Sequence, residues 1–217
     1  MALSTYSELL STVENYLNRN DLTEIIPTFI TLTENRLNRE LRVRANMVRA
    51  ITTTTAGQAF YDFPSDMIEL RNITYNSGSQ SFALSYLSPE SVSREYGSIT
   101  SGRPRAYTSL GTDLKLTPAP DAAYSININY YSQLRSLSDS VTTNDVLKQY
   151  PSLYLFGACL EGAIYLNDTE QTNRFGSVFQ KALDDVQRAE EAARYSGTVM
   201  TTSIQGDPGA MIRRGAH

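Results

Sequence analysis

The chain has 217 residues, 41% hydrophobic and 19% charged, with a formal net charge of −4 and a pI near 5.1. That is enough chain for a full buried core, in an ordinary globular balance, and its acidity repels DNA phosphates instead of gripping them. No apolar run reaches the roughly 18 residues that cross a bilayer, so no membrane partner is expected. The opening MALSTYSELL lacks a basic region followed by an apolar one, so no secretory signal is expected and synthesis reads as intracellular. The single cysteine, Cys159, cannot pair internally and reads as a small core residue of an apolar helix. Tryptophan is absent and tyrosine abundant at 14, which suits interfaces and strands alike.

The first block is helical. Tyr6, Leu9, Leu10, Val13 and Leu17 recur at helical spacing, and Thr5 with Glu8 forms a capping box. Asn18-Arg19-Asn20-Asp21 ends that helix. A second helix carries Phe29, Ile30, Leu37 and Leu41, with Pro27 in its first turn and a separate turn over 22–26.

From about Ala45 the period changes to two. Residues 51–55 are β-branched, Ala56-Gly57 turns, and 60–63 reads as a returning strand. After Pro64-Ser65-Asp66, residues 67–75 form another strand, 76–79 a loop, and Phe82, Leu84 and Tyr86 alternate. Ser88 then caps a short helix with Pro89 at its first position, closed by Gly97. Residues 106–110 and 113–117 make a hairpin about Gly111-Thr112. In 124–131, Tyr124, Ile126, Ile128 and Tyr130 alternate with Ser125, Asn127 and Asn129, a half-buried strand with one wet face.

The third block is helical again. Residues 151–166 are apolar and small, and Gly157, Ala158, Gly162 and Ala163 admit a close neighbour. Asp168, with Gln171 three residues on, caps a last helix whose seam is Phe175, Phe179, Ala182, Val186, Ala189 and Ala193, with Gly197 as C-cap. The expected class is α+β. A helical bundle, built from an N-terminal helical hairpin and long C-terminal helices, carries a central antiparallel β-rich subdomain and an extended C-terminal tail. The divisions are 1–44 and 141–197 for the bundle, 45–140 for the β-rich part, and 198–217 for the tail.

Catalytic chemistry is sparse. The one histidine is His217, at the end of a glycine-containing tail, where it cannot be held beside a nucleophile. No phosphate loop or zinc-ligand spacing appears, so neither a cofactor nor a metal is expected. The remaining route to an enzyme is a glycosidase-type pair among Asp62, Asp66 and Glu69, set against their reading as solvated turn formers. Asp184, Asp185, Glu190 and Glu191 read as the solvated outer face of the last helix. Arg36, Arg39, Arg42, Arg44 and Arg49 cluster at the end of the second helix and just beyond. Spacings of four let Arg36 and Arg44 pair with Glu40. The cluster reads as a solvated or intersubunit ion-pair face, with DNA contact the competing reading for an otherwise acidic chain.

The tail, TVMTTSIQGDPGAMIRRGAH, has too little apolar surface to offset its own ordering entropy. An ordered tail therefore needs partners outside the chain. Met211-Ile212 beside Arg213-Arg214 has the makings of a docking peptide, an apolar plug with a steering charge.

Four segments together resemble a known family: SELLSTVENYLNRNDLTEIIPTFITLTENRLNRELRVR, TTTTAGQAFYDFPSDMIELRNI, SGRPRAYTSLGTDLKLTPAPDAAYSININYYSQL and PSLYLFGACLEGAIYLND. Their order across most of residues 4–196 is similar to that of the podophage head-to-tail adaptors, also called head completion or connector proteins. The resemblance implies a non-enzymatic virion protein of the neck. It would be a ring, expected to be a dodecamer, seated beneath the portal protein and facing the tail tube or nozzle, with double-stranded DNA passing through the lumen without specific binding. It further implies portal contact by the tail, for which Met211, Ile212, Arg213 and Arg214 are the candidates. Arg36, Arg39 and Arg42 against Asp184 and Asp185 are the candidate pair between subunits. A neck or tail terminator at another level of the same axis is the alternative within this class, and a cell-wall glycan hydrolase the alternative outside it.

Overall fold

The computed structural model describes residues 3–195. Helices α1 (Tyr6–Leu17) and α2 (Ile26–Glu40) are followed by a 3-10 turn (Arg44–Asn46) and strands β1 (Met47–Thr53), β2 (Phe60–Asp62), β3 (Met67–Ser77), β4 (Gln80–Ala83) and β5 (Ser85–Tyr86). Then come α3 (Pro89–Tyr96), β6 (Ser101–Gly102), β7 (Ala106–Leu110), β8 (Asp113–Thr117), β9 (Ala119–Pro120) and β10 (Ser125–Ser132). Helices α4 (Asp145–Gln149), α5 (Pro151–Tyr165) and α6 (Thr169–Tyr195) complete an α+β fold.

The helix starts follow local chemistry. Thr5 accepts from the Glu8 N–H, and the Glu8 carboxylate accepts from the Thr5 N–H at 3.0 Å, closing the capping box. Asn18 ends α1 in the left-handed region at φ 50°. Asp168 accepts from the Gln171 N–H at 3.0 Å and starts α6 as expected.

Helix α5 is the axis of the helical part. Leu153, Tyr154, Ala158 and Cys159 are fully buried, with α1, α2 and α6 packed around them. Burial without a compensating charge pushes the Cys159 thiol up to about 12, which makes it an inert core residue. The small residues of α5 permit the close approach. A Cβ at Gly162 would lie 2.7 Å from Leu17 Cδ1, and one at Gly157 would overlap the Thr33 methyl. Thr33 cannot swing away, because its hydroxyl donates to the Phe29 carbonyl at 2.8 Å.

The stripe of α6 differs from the expected seam. Phe175, Phe179, Leu183, Val186 and Glu190 are buried, whereas Ala182 is only partly so and Ala189 is exposed. Alanine counts as apolar in a periodicity but fills little volume, so the larger Leu183 wins the core position. The expected C-cap Gly197 lies outside the described residues.

The strands form two main sheets, in the orders β1-β10-β3-β4 and β2-β8-β7-β5. Between them lies a second core that includes Ile73, Leu84, Leu114, Leu116, Ile126 and Ile128. Pairing is antiparallel apart from the short β5–β7 and β6–β9 contacts. Strand β2 does not return against β1 as expected; it pairs with β8, setting Phe60 opposite Lys115. The turn at Gly57, whose N–H donates to the Pro120 carbonyl at 2.8 Å, carries the chain across to the second sheet. The alternating Phe82, Leu84 and Tyr86 likewise divide between the sheets, with β4 in one and β5 in the other. On the polar face of β10, Asn129 donates to Asn72 at 2.7 Å. Asn127 on that face is buried, because β10 is central and flanked on both sides.

Sequence reasoning missed α4 and the packing of the segment before it. Leu134 and Leu137 are buried in the helical core, and the Leu137 N–H donates to the Glu34 carboxylate at 2.8 Å.

Two glycines in the helical core give opposite expectations. Gly157→Ala lowers stability by about 1–3 kcal/mol through overpacking. Gly176→Ala, whose Cβ meets only Leu160 at 3.7 Å, raises it by up to about 1 kcal/mol through helix propensity. Urea unfolding midpoints of the two variants on opposite sides of wild type check this; equal midpoints refute it.

Candidate interaction surfaces

Three arginines of α2 and the segment beyond it form ion pairs with other elements, and Arg42 also donates to the Asn38 and Leu41 carbonyls at 2.9 Å. Arg36 reaches Glu161 of α5 at 2.6 Å, Arg42 reaches Glu69 of β3 at 2.8 Å, and Arg44 reaches Glu190 of α6 at 3.2 Å. The expected pairs through Glu40 are not made. Glu161 and Glu190 are largely withdrawn from water, with side chains 12% and 8% exposed. A desolvated carboxylate gains more from a cation than the solvated Glu40 does, so the distant partners win. Arg39 and Arg49 point outward on exposed surface. Arg39 borders an open cleft of about 480 Å³, lined also by Leu32, Asn35, Asn38 and Gln133. Asp184 accepts from Gln180 at 2.8 Å and Asp185 pairs with Arg188 at 2.6 Å, both on the exposed side of α6.

Glu190 was expected on the solvated face and is instead buried. It lies four residues after Val186 and seven after Leu183, on the core stripe of α6. Its two oxygens accept from the Arg44 N–H at 3.0 Å, the Arg44 guanidinium, and the Tyr150 hydroxyl at 2.9 Å. Burial pushes its pKa up, but these donors outweigh burial and hold it below the ordinary carboxylate value. The node ties α6 to the segment that enters β1.

A second buried carboxylate behaves in the opposite way. Glu34, 2% exposed, accepts from the Leu137 N–H at 2.8 Å and the Tyr154 hydroxyl at 3.3 Å. Tyr154 also meets the Asn144 amide, which donates to it at 2.6 Å and to the Arg135 carbonyl at 2.8 Å. Burial raises the Glu34 pKa, and its hydrogen bonds offset this only in part. The available signal was spacing, since Glu34 stands four residues after Ile30 and three before Leu37 on the apolar face of α2.

The three carboxylates considered for catalysis are divided. Asp66 accepts from the Tyr130 hydroxyl at 2.9 Å, and Glu69 is engaged by Arg42. Asp62 is exposed opposite Asp113. Asp62 and Glu69 border a hollow of about 790 Å³ with Phe63, Met67, Tyr86 and Tyr107, which Asp66 does not line. Among the described residues no group of acidic, histidine or cysteine side chains could hold a metal ion, and no helix is long and apolar enough to cross a membrane.

Residues 4–202 match the family model described as SU10 adaptor protein. The chain belongs to the SU10 adaptor protein family. No curated protein matches it. This is a family of phage head-to-tail adaptors, structural proteins of the virion that associate with other head and tail proteins. The adaptor's candidate portal residues Met211, Ile212, Arg213 and Arg214 lie outside the described residues.

The two buried carboxylates predict opposite pH signatures in the adaptor. Glu190, depressed in the fold, adds stability above the ordinary carboxylate pKa, and that contribution is lost as pH falls through its folded value. Glu34, raised in the fold, adds stability below the ordinary carboxylate pKa, and loses it as pH rises through its folded value. Glu190→Gln therefore costs about 2 kcal/mol near neutral pH and converges on wild type in acid. Glu34→Gln, whose amide oxygen still accepts from Leu137 and Tyr154, is closest to or above wild type near neutral pH and falls behind in acid. Thermal unfolding from acid to neutral pH checks both; parallel curves for wild type and either variant refute that assignment.

Proposed function

We propose that this adaptor assembles as a ring, dodecameric as the resemblance implies, beneath the portal after DNA packaging and presents a new surface to the tail tube or nozzle. The observation that carries this reading is the family match over residues 4–202, nearly the whole chain. In it, the helical parts (1–44 and 141–197) form the ring body, the β-rich part (45–140) faces the tail, and residues 198–217 reach the portal. The protein acts by binding, without a catalytic step.

Physical chemistry supports each part. A closed ring needs two different faces that meet head to tail. Arg39, exposed and outside the internal ion pairs, supplies a positive point; Asp184 and Asp185, exposed on α6, supply a negative one. Arg36 and Arg42 lie beside it, and their internal pairs orient the same rim. The acidic net charge of −4 lets DNA slide past, since fixed cations would hold its phosphates. In the tail, Met211 and Ile212 offer an apolar anchor and Arg213 and Arg214 a charge for an acidic portal surface.

Two experiments test the reading. Truncation after Tyr195 abolishes capture by isolated portal rings while the circular dichroism spectrum and unfolding midpoint stay near wild type; retained capture sinks the tail assignment. Arg39→Glu weakens ring assembly in sedimentation velocity, and Asp184→Lys with Asp185→Lys in the same chain restores it. Unchanged assembly in Arg39→Glu rejects the charge pair.

A further inference from the structure

The sheet β1-β10-β3-β4 ends in two strands whose outer edges have no strand partner among the described residues. At one end, β1 runs for seven residues in unbroken register with β10, from Met47 opposite Tyr131 to Thr53 opposite Ser125. Met47 and Ile51 on the outer face are 47% and 59% exposed, and Val48 on the core side is 39% exposed, although Ala50 and Thr52 beside it are half-buried. Sheet edges are ordinarily protected by brevity, bulges, proline, several charges or an overlying element. Strand β1 has none of these beyond the single Arg49. At the other end, β4 exposes all four of its residues, Gln80 to Ala83.

The two edges suit each other. Every pairing in this sheet is antiparallel, so β1 and β4 run in opposite directions. A β4 strand from a second copy, set beside β1, continues the alternation without changing hand or pattern. Faces also match. Phe82 lies on the core side, opposite Tyr75, and Val48 and Ala50 lie on that same side, opposite Tyr130 and Ile128. Continuing the sheet therefore brings Phe82 of one copy against Val48 and Ala50 of the next, burying exposed apolar surface. Charge decides against the alternative of β1 pairing with β1. An antiparallel two-fold pairing puts both Arg49 side chains on one face, opposite or diagonal, whereas β4 carries no charge.

We propose that copies of this adaptor join edge to edge, β1 of one to β4 of the next, so that the four-stranded sheets fuse into one continuous β belt. The contact is heterologous and repeats from copy to copy, as ring closure requires. This rests on the ring reading above, to which it adds the joint between subunits.

Cysteine pairs on the outer face test the joint and leave both cores intact. Full-length chains carry Arg49→Cys or Ile51→Cys together with Ser81→Cys or Ala83→Cys, and are compared with each single variant. Each is oxidised both free at high concentration and docked on isolated portal rings, then run on a non-reducing gel. At least one double variant should give a ladder of dimers, trimers and higher species, while single variants give none. Dimers from Arg49→Cys or Ile51→Cys alone would establish the two-fold contact and overturn the belt. No cross-link in any variant overturns it too. If portal binding persists without a ladder, only the joint is lost; if wild type fails to bind portal rings, the ring reading falls as well.

Discussion

Close packing around α5 is the constraint on which the rest of this adaptor depends. Gly157 and Gly162 let Thr33 and Leu17 approach so nearly that a Cβ at either position would force a neighbour to shift. Because α5 touches α1, α2 and α6, its position sets theirs. Interiors at crystal-like density transmit such placements instead of absorbing them. The end of α2, where the arginines sit, and the stripe of α6 that carries Glu190 are thereby fixed relative to each other.

From that frame, charge connects the helices to the sheets. Arg44, Tyr150 and Glu190 fasten the entrance of β1 to α6, and Arg42 with Glu69 fastens the end of α2 to β3. On the return side, Glu34, Tyr154 and Asn144 hold the segment leaving β10. Buried carboxylates rarely add net stability over an apolar core. Here their partners include backbone N–H groups of connecting segments, those of Arg44 and Leu137, which would otherwise be orphaned. Their role is to place the β part on the helical part, a requirement for a protein whose family sits between head and tail.

What the fold leaves uncovered is as informative as what it buries. Arg39 and the Asp184–Asp185 face stand exposed on the helical part, and the open edges of β1 and β4 on the sheet. A protein that worked alone would be expected to blunt an open seven-residue edge that carries Met47, Val48 and Ile51. In the assembly proposed above, these are the surfaces that neighbouring copies would cover.

The amino-acid sequence by itself determined those elements whose signals are local. The Thr5–Glu8 capping box, the Pro89 helix start, the Gly111 hairpin and the alternating β10 depend on contacts a few residues apart, so spacing and turn chemistry reveal them. The small residues of α5 likewise mark a close neighbour through their size alone. Only the tertiary structure decided which strand β2 joins, which donors meet the buried Glu190 and Glu34, and that Arg36, Arg42 and Arg44 face distant carboxylates. Each of those outcomes turns on competition between partners 27 to 146 residues apart. Spacing places Glu34 and Glu190 on apolar helix faces, but desolvation and geometry in the folded chain settle which partners they meet.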